Sequence, residues 1–355
     1  MCIRDRGIAL GAPVGVETDL ADEMCRRVAS LDRIRCCNSG TEATLHAIRL
    51  ARGFSRRPKI AKFEGGYHGS HDAVEISVTP DLEAAGPENE PNAVPAAGGM
   101  SPHAAEEIVI LPYNDPDAAG RLISRHRDEL ACVIYDPKAG ILPQQEGFAH
   151  YIREITRQND VLLIFDEIVA FRFGTGGLQE HVGIAPDLST FGKIVGGGFP
   201  GGAFGGRADI MDLFDASKGK TGFFQSGSFS AHPIAMAAGL ATLQQLTPAA
   251  FAHLNGLADR LIAGLNDRFA SNAIAARAVN TGSVFSIHFT DGPLTTYRSL
   301  ARTDGDMAHR VFLALLEQGY FLSHGLTMNA LSLPMDTGHV DGLIDAVEKA
   351  VERAG

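Results

Sequence analysis

A lysine and an aspartate, each at the end of an apolar segment, have the chemistry of a cofactor site. Asp166 directly follows the apolar segment 161–165, and Lys193 lies 27 residues further on, just before the glycine-rich segment 196–202. A carboxylate can pair with a protonated pyridine nitrogen, and an amine can form a Schiff base with an aldehyde. Apolar and glycine neighbours predict a desolvated, nucleophilic Lys193 with room for a cofactor. The two residues together predict pyridoxal phosphate (PLP) chemistry.

Small polar residues follow the first apolar segment, at 33–37. Ser39, Gly40 and Thr41 open a helical pattern there, and the first N–H groups of a helix have no intrahelical acceptor and bind phosphate well. This predicts a phosphate site. An ordinary helix N-cap is the alternative, because Ser and Thr are favoured at that position anyway.

An aromatic residue and a histidine lie in the glycine-framed turn 65–69. The ring of Tyr67 can lie on a planar cofactor, and His68 can assist proton transfer or hold that cofactor in place. The alternative is a glycine turn with two partly exposed rings.

The carboxylate of Asp166 needs a partner, because it ends an all-apolar strand and a buried charge must be compensated. A protonated pyridine nitrogen is one candidate, and an arginine such as Arg172 is the other. Ile168 is expected to pack on the opposite face of the cofactor ring from Tyr67. Ser228, in a loop before a long helix, is a further candidate for phosphate contact or simply part of that loop.

Short apolar segments alternate with helical patterns through the first 230 or so residues. This alternation predicts an α/β fold with a mostly parallel sheet covered by helices, in which ligands bind outside the carboxyl ends of the strands. The predicted strands are 33–37, 59–63, 108–111, 132–135, 161–165, 190–191 and 203–204. The predicted helices between them are 42–52, 115–127, 148–158 and 208–214.

The pattern changes after Pro233 to long amphipathic helices, a single strand and a closing helix. We therefore predict a large domain over 11–247 and a smaller C-terminal α+β domain over 248–355. Segment 79–102 has no periodicity and is rich in Pro, Gly, Ala and Glu. A segment of that kind is either an active-site lid or a disordered loop.

The composition restricts the class of protein. The net charge of −11 without a basic run argues against nucleic acid as a partner, and no apolar run approaches the roughly 20 residues of a membrane span. Five cysteines without a CxxC pair, and no visible secretory signal, favour a cytoplasmic protein without a metal site. The absence of GxGxxG after the first strand argues against a dehydrogenase. Residues 1–6 match no structural pattern and are expected to lie outside the fold.

Taken together, five segments resemble the class III (ω-type) aminotransferases of PLP fold type I, particularly the glutamate-1-semialdehyde 2,1-aminomutase-like branch. They occur in the family order and at similar spacing, and the resemblance extends from about Gly11 to the C-terminus. The segments are Asn-Ser-Gly-Thr-Glu-Ala at 38–43, Phe-Glu-Gly-Gly-Tyr-His-Gly at 63–69, Leu-Ile-Phe-Asp-Glu-Ile at 163–168, Pro-Asp-Leu-Ser-Thr-Phe-Gly-Lys at 186–193, and the glycine-rich 196–206.

The resemblance implies a role for each matching residue. Lys193 would hold PLP as a Schiff base and move the proton between the substrate α-carbon and the cofactor, and Asp166 would hold the pyridine nitrogen. Tyr67 and Ile168 would pack on opposite faces of the ring.

The resemblance also implies how the phosphate is held and how the chain assembles. Ser39, Gly40 and Thr41 would bind the phosphate of their own subunit. Ser228 stands where the family usually has a threonine that reaches the phosphate of the neighbouring subunit. A homodimer with shared active sites is therefore expected.

The chain departs from the family pattern in several places. The family has a further N-terminal segment that completes the small domain, so we expect this chain to be N-terminally truncated. Ile141 stands where the aminomutase has an asparagine, and Thr327 where it has a glutamate. Segment 330–334 is more similar to the β-amino-acid aminotransferases.

These observations favour transfer of an amino group from an amino acid or β-amino acid to a 2-oxo acid. The alternative is the intramolecular aminomutase (an isomerase), which a lid at 79–102 favours because a mutase must retain its intermediate. An inactive truncated scaffold is the alternative from another class. Arg172 is a candidate ligand for a substrate carboxylate, with a structural ion pair as its alternative.

Overall fold

The computed structural model describes residues 13–137, 141–215, 217 and 222–355, and the chain divides into two compact units. Among the described residues, the first unit contains those up to Asp136 together with those of Glu146–Phe171 and Thr175–Leu246. The second contains Pro137–Gln145, Arg172–Gly174 and Thr247–Gly355. Residues 1–6 and residue 11, the expected start of the large domain, lie outside the described residues.

The first unit is built on a sheet of seven strands in the order β1-β7-β6-β5-β4-β2-β3. Six of them run in the same direction, and β7 is antiparallel to both of its neighbours. The predicted mostly parallel sheet is confirmed. The strands are β1 Arg33–Cys37, β2 Lys59–Phe63, β3 Ile108–Leu111, β4 Leu130–Tyr135, β5 Leu162–Asp166, β6 Leu188–Phe191 and β7 Gly202–Gly206.

The central strands β4 and β5 are buried along their whole length. Such strands are covered on both faces, which explains their continuous apolar sequence. The helices of this unit are α1 Gly15–Arg27, α2 Gly40–Ser55, α3 Pro116–Arg125, α4 Phe148–Gln158, α5 Glu167–Ala170, α6 Gly177–Val182, α7 Ala208–Met211 and α8 Pro233–Gln245. Short 3-10 turns occupy Ala104–Glu107, Lys193–Gly196 and Asp212–Phe214.

The second unit contains a three-stranded antiparallel sheet in the order β10-β9-β8. Its strands are β8 Ala276–Thr281, β9 Val284–Phe289 and β10 Asn329–Ala330, and its helices are α9 Pro248–Ser271, α10 Tyr297–Leu300, α11 Gly305–Glu317 and α12 Thr337–Ala354, with a 3-10 turn at His324–Leu326. Thr247 caps α9, because its hydroxyl accepts from the Ala250 N–H. Pro248 occupies the first turn, where the missing N–H of proline costs no intrahelical hydrogen bond. Across the described parts of the chain, no helix has the length and apolarity to cross a membrane.

Segment 79–102 is irregular and folds back on the first unit. The Ser77 N–H donates to the Val94 carbonyl at 2.6 Å, and the Asn92 N–H donates to the Ala85 carbonyl at 2.9 Å. These bonds close the segment at its base and within the loop. Its function as a lid stays a prediction.

Candidate active site

Four groups of candidate residues follow the carboxyl ends of parallel strands. Ser39 comes shortly after β1, Tyr67 and His68 follow β2, Asp166 ends β5, and Lys193 comes shortly after β6. Since these strands run in the same direction, their carboxyl ends lie along one edge of the sheet, where α/β proteins bind ligands. The pairing of Asp166 with Thr190 of β6 aligns the end of β5 with the strand that leads to Lys193.

Asp166 pairs with a histidine. Its Oδ2 lies 2.7 Å from Nδ1 of His68, and the side chains of the two residues are only 6% and 1% exposed. The other oxygen, Oδ1, accepts from the Ile168 N–H at 3.1 Å and from the Thr190 hydroxyl at 3.4 Å. The buried carboxylate is thus compensated from the turn after β2.

Arg172 does not compensate Asp166. It belongs to the second unit, where Nε donates to the Ser283 hydroxyl at 3.2 Å and a terminal nitrogen donates to the Leu331 carbonyl at 2.7 Å. Burial lowers the pKa of Arg172. The suggested Asp166–Arg172 salt bridge is therefore wrong, because Ser283 and Leu331 of the second unit hold the guanidinium.

The turn that contains Tyr67 and His68 is fixed against helix α2. The Thr44 hydroxyl donates to the His68 carbonyl at 2.6 Å, and the Ser70 N–H donates to Oγ1 of Thr41 at 3.4 Å. His68 is buried, whereas the Tyr67 side chain is 56% exposed. The alternative of two partly exposed rings holds for Tyr67 alone, and its exposed ring is free to cover a planar ligand.

The start of helix α2 is also an N-cap. The Ser39 hydroxyl accepts from the Glu42 N–H at 3.2 Å, and the Glu42 carboxylate accepts from the Asn38 N–H at 2.9 Å. By helix geometry the N–H groups of Gly40 and Thr41 have no intrahelical acceptor. The capping and phosphate-binding interpretations are therefore compatible at this position.

Close packing of glycines brings the separate segments together. A Cβ at Gly40 would lie 2.6 Å from Cδ1 of Ile168, and one at Gly192 would lie 3.3 Å from Cγ2 of the same side chain. A Cβ at Gly202 would lie 2.5 Å from the Ser39 carbonyl oxygen. Ile168, the start of α2 and the residue before Lys193 are thus in direct contact.

Lys193 differs from the sequence-based expectation. Its side chain is exposed, not desolvated, because Lys193 lies beyond the buried strand β6 and begins the 3-10 turn Lys193–Gly196. Its backbone has φ of 50°, in the left-handed region. A non-glycine residue pays about 1–3 kcal/mol for that conformation, and such strain concentrates at functional sites.

Ser228 lies exposed in a loop attached to strand β1. Gln225 makes the attachment, because its Nε2 donates to the Cys36 carbonyl at 3.0 Å and its Oε1 accepts from Nε of Arg35 at 2.8 Å. These bonds tie the loop to the strand that leads to Ser39.

Two residues that the sequence analysis did not select contribute to the site. Thr190 donates to Asp166, and Thr44 holds the His68 carbonyl. Thr190 lies in a predicted strand and Thr44 in a predicted helix, where both are ordinary. A signal was present only for Thr190, a polar residue close before Lys193 in the strand that leads to it.

The donor set fits PLP. A buried carboxylate suits a protonated ring nitrogen, a helix N-terminus suits a phosphate, and an accessible lysine suits an aldehyde. A mostly parallel sheet with such groups at its carboxyl edge defines the class of PLP-dependent α/β transferases.

The chain belongs to the class III aminotransferase family, whose model matches residues 14–349. It is an enzyme of that family, whose members use PLP. A glutamate-1-semialdehyde 2,1-aminomutase from Methanocaldococcus jannaschii is 38% identical over 352 residues, which cover 98% of this chain and 80% of the relative.

Solved structures agree with this assignment. The crystal structure of an omega-transaminase from Sphaerobacter thermophilus has a TM-score of 0.94 and 39% identity, covering 98% of this chain and 80% of the other. A β-phenylalanine aminotransferase from Variovorax paradoxus has a TM-score of 0.85 and 33% identity, covering 97% and 75% respectively.

Proposed function

We propose that this enzyme transfers an amino group from an amino acid or β-amino acid to a 2-oxo acid, and that the first unit is its cofactor-binding domain. The single observation that supports this most is the buried Asp166–His68 pair, with its 2.7 Å separation, at the carboxyl edge of the sheet that also leads to Lys193. The 39% identity to an omega-transaminase and the 33% identity to a β-phenylalanine aminotransferase support intermolecular transfer.

Asp166 binds the protonated ring nitrogen of the cofactor in this proposal. When bound, PLP supplies an electron-withdrawing ring that makes the α-proton of an amino acid removable. His68 donates its Nδ1–H to Asp166 Oδ2 and orients that carboxylate. The Thr190 hydroxyl and the Ile168 N–H hold the other oxygen, so the charge has a fixed direction.

Lys193 provides the reactive amine. Its Nζ would hold the cofactor through the aldehyde and, once displaced by the incoming substrate amine, would be the free base that accepts the proton from the substrate carbon bearing the amino group. The proton transfer by a positioned base contributes about 10²–10⁴-fold to the rate. The flanking glycines leave the space that this movement requires.

The remaining residues hold and orient the cofactor. Tyr67 covers one face of the ring and Ile168 the other, while Ser39, Gly40 and Thr41 bind the phosphate at the start of α2. Arg172 is the candidate ligand for a substrate carboxylate, because a guanidinium has five N–H donors and two of its nitrogens are used by Ser283 and Leu331.

We also propose a cytoplasmic homodimer in which Ser228 reaches the neighbouring subunit's phosphate. Exposed apolar side chains near Ser228 support the proposal that this surface binds a second subunit. Phe199, Phe229 and Ile234 are 51%, 61% and 43% exposed. They line a cavity of about 320 Å³ with Asn38, Pro200, His232 and Ala235. Apolar surface of this kind marks an interaction site.

The test of the proposal is cofactor capture by Lys193. The purified protein is incubated with PLP, dialysed, reduced with borohydride and analysed by peptide mass spectrometry. We expect yellow colour that survives dialysis and a covalent adduct on Lys193. Lys59→Ala is the matched control and keeps the adduct, whereas Lys193→Ala loses it. An adduct on another lysine would overturn the assignment.

The aminomutase is the second candidate, because the M. jannaschii relative has that name at 38% identity. Glutamate 1-semialdehyde supplied without an amino acceptor distinguishes the two. We expect little 5-aminolevulinate from it, and transamination when a β-amino acid and a 2-oxo acid are supplied together. Rapid formation of 5-aminolevulinate would reverse the order of the two candidates.

A further inference from the structure

Lys62, in strand β2, is a completely buried lysine whose ammonium group is surrounded by backbone carbonyls. The residue has 0% exposure. Nζ donates to the Gly66 carbonyl at 2.7 Å, to the Val74 carbonyl at 3.0 Å and to the Ile76 carbonyl. A buried charge costs free energy unless such groups compensate it. An apolar residue would be the ordinary choice at a buried position of a parallel strand such as β2.

The carbonyls that hold Lys62 come from the two ends of one loop. Gly66 directly precedes Tyr67 and His68, and Val74 and Ile76 lie at the base of segment 79–102. The Gly65 N–H also donates to the Ser77 carbonyl at 2.8 Å. The ammonium group thus joins the turn with the two rings to the base of the long irregular segment.

The other side of this turn is held by helix α2, through the Thr44–His68 and Thr41–Ser70 bonds. His68 then reaches Asp166 at 2.7 Å. A continuous series of contacts therefore runs from Lys62 through the Gly66 carbonyl and His68 to the acid at the end of β5.

We propose that Lys62 is a positioning residue that fixes Tyr67 and His68 relative to Asp166 and so sets the orientation of the bound cofactor. The inference rests on the proposed function, because it assumes that Tyr67 and Asp166 contact PLP. Lys62 itself is buried beneath the turn and acts through the backbone.

The first test is Lys62→Met, which removes the charge and keeps a long unbranched side chain. We expect amide hydrogen exchange over residues 65–77 to become faster in the protein without PLP. With PLP, we expect about tenfold weaker cofactor binding, changed visible circular dichroism of the bound cofactor, and a kcat lower by up to about 10²-fold, since small misplacements have effects of that size. KM for the amino donor stays near the wild-type value.

Lys59→Met is the matched control. Lys59 lies on the same strand, and its Nζ bonds to Glu129 at 3.0 Å instead of the turn. This variant should keep the wild-type exchange rate over 65–77 and the wild-type dichroism. If Lys62→Met shows lower thermal stability but the same exchange, dichroism and cofactor affinity, Lys62 serves general stability and the proposal is overturned.

A double-mutant cycle with Tyr67→Ala separates this inference from the proposed function. If Lys62 acts through the turn, Lys62→Met weakens cofactor binding far less in the Tyr67→Ala background. If Tyr67→Ala alone leaves cofactor binding unchanged, the proposed role of Tyr67 fails. If Tyr67→Ala matters and the two effects simply add, only the positioning role fails.

Lys62→Gln covers the case in which Lys62→Met does not fold. Its shorter amide side chain keeps a donor and should give a smaller change in the same direction. If neither variant folds, Lys62 is needed for the unit as a whole, and a specific positioning role is overturned.

Discussion

Two buried aspartates have different partners. One lies at the carboxyl end of a strand and the other at the amino end of the neighbouring strand in the same sheet. Asp166, at the carboxyl end of β5, faces a histidine and two weaker donors. Asp187, just before β6, accepts from Arg153 at 2.7 Å, from Arg207 at 2.8 Å and from the Leu163 N–H at 2.9 Å. Two arginines pair with Asp187, whereas Asp166 has no arginine among its partners in the described residues. We expect the difference in partners to produce a difference in role.

Asp166→Asn tests that difference by removing the charge and keeping the shape. We expect kcat/KM to fall by about 10²-fold or more, because an electrostatic contact to the reacting group is lost. Cofactor affinity should fall as well. Steady-state kinetics at saturating PLP and a PLP titration check this result. Asp187→Asn, measured at a temperature where the variant stays folded, should retain the activity that Asp166→Asn loses.

The lowered pKa of His288, in β9, predicts how the stability of the protein depends on pH. Burial lowers its pKa from 6.5 to about 4. One ring N–H donates to the Ile141 carbonyl, and Nε2 is buried without a partner among the described residues, so a second proton would lack an acceptor. Because the folded pKa is below the unfolded value, the neutral ring stabilises the fold above about pH 6.5. That stability is lost as the pH falls towards 4.

The measurement is urea unfolding of wild type and His288→Gln at pH 7 and pH 5. Glutamine can still donate to Ile141 but does not titrate. We expect wild type to lose on the order of 1–2 kcal/mol more than the variant over this interval. His71, whose pKa burial also lowers to about 4, remains in both proteins, so the variant keeps part of the dependence. Equal losses in both proteins would contradict this account.

At the scale of elements, Asp187 joins helix α4 to strands β6 and β7. Burial alone would raise its pKa, but the bonds from Arg153, Leu163 and Arg207 lower it. The stability that it contributes is therefore present above the unfolded pKa of about 3.8 and is lost as the pH falls through the lower folded value.

Asp187→Asn should destabilise the protein by about 3 kcal/mol or more at pH 7, because it leaves two arginines near a buried site without their charge partner. Urea unfolding at pH 7 measures the loss. Asp341→Asn is the control, since the exposed Arg260–Asp341 pair is expected to contribute only ~0–1 kcal/mol. Similar losses of unfolding free energy in the two variants would show that the buried Asp187 network stabilises the protein no more than an exposed ion pair does.

The elements that sequence reasoning predicted are those with strong local signals. The apolar strand β2 and helix α4 have the predicted bounds, because continuous apolarity and amphipathic periodicity are local properties. Strand β8 was missed. Its sequence, Ala-Arg-Ala-Val-Asn-Thr, is polar and half-buried, as expected for an edge strand that is held by its partner β9.

The candidate site also contains parts that the sequence predicted and parts that it did not. Lys193, Asp166 and Tyr67 were selected from the sequence because each follows an apolar strand, and their roles stay predictions. The His68–Asp166 pair, the Gly40–Ile168–Gly192 packing and the carbonyls around Lys62 were not visible there, since they join segments far apart in the chain. Local patterns contain no information about such contacts.

At the scale of the whole molecule, the exposed aromatic surface predicts self-association. We expect the wild-type chain to sediment as a dimer. Phe229→Glu should weaken that dimer by roughly 30-fold or more, because a charge would replace an apolar side chain in a buried interface and hot-spot residues contribute about 2 kcal/mol or more. Analytical ultracentrifugation over a range of concentrations measures the change. Phe321→Glu is the control, because Phe321 is 84% exposed and belongs to the second unit, whereas the residues that line the Phe199–Phe229–Ile234 cavity belong to the first unit.

The shared-site proposal adds a requirement that dimerisation alone does not impose. If Ser228 contributes to the phosphate site across the interface, Phe229→Glu should lose cofactor affinity as it dissociates, and high protein concentration should restore both together. Ser228→Ala should weaken PLP binding while the dimer stays intact. A Phe229→Glu monomer that binds PLP as tightly as wild type would show that each chain completes its own site. In that case, the exposed aromatic surface would serve assembly alone.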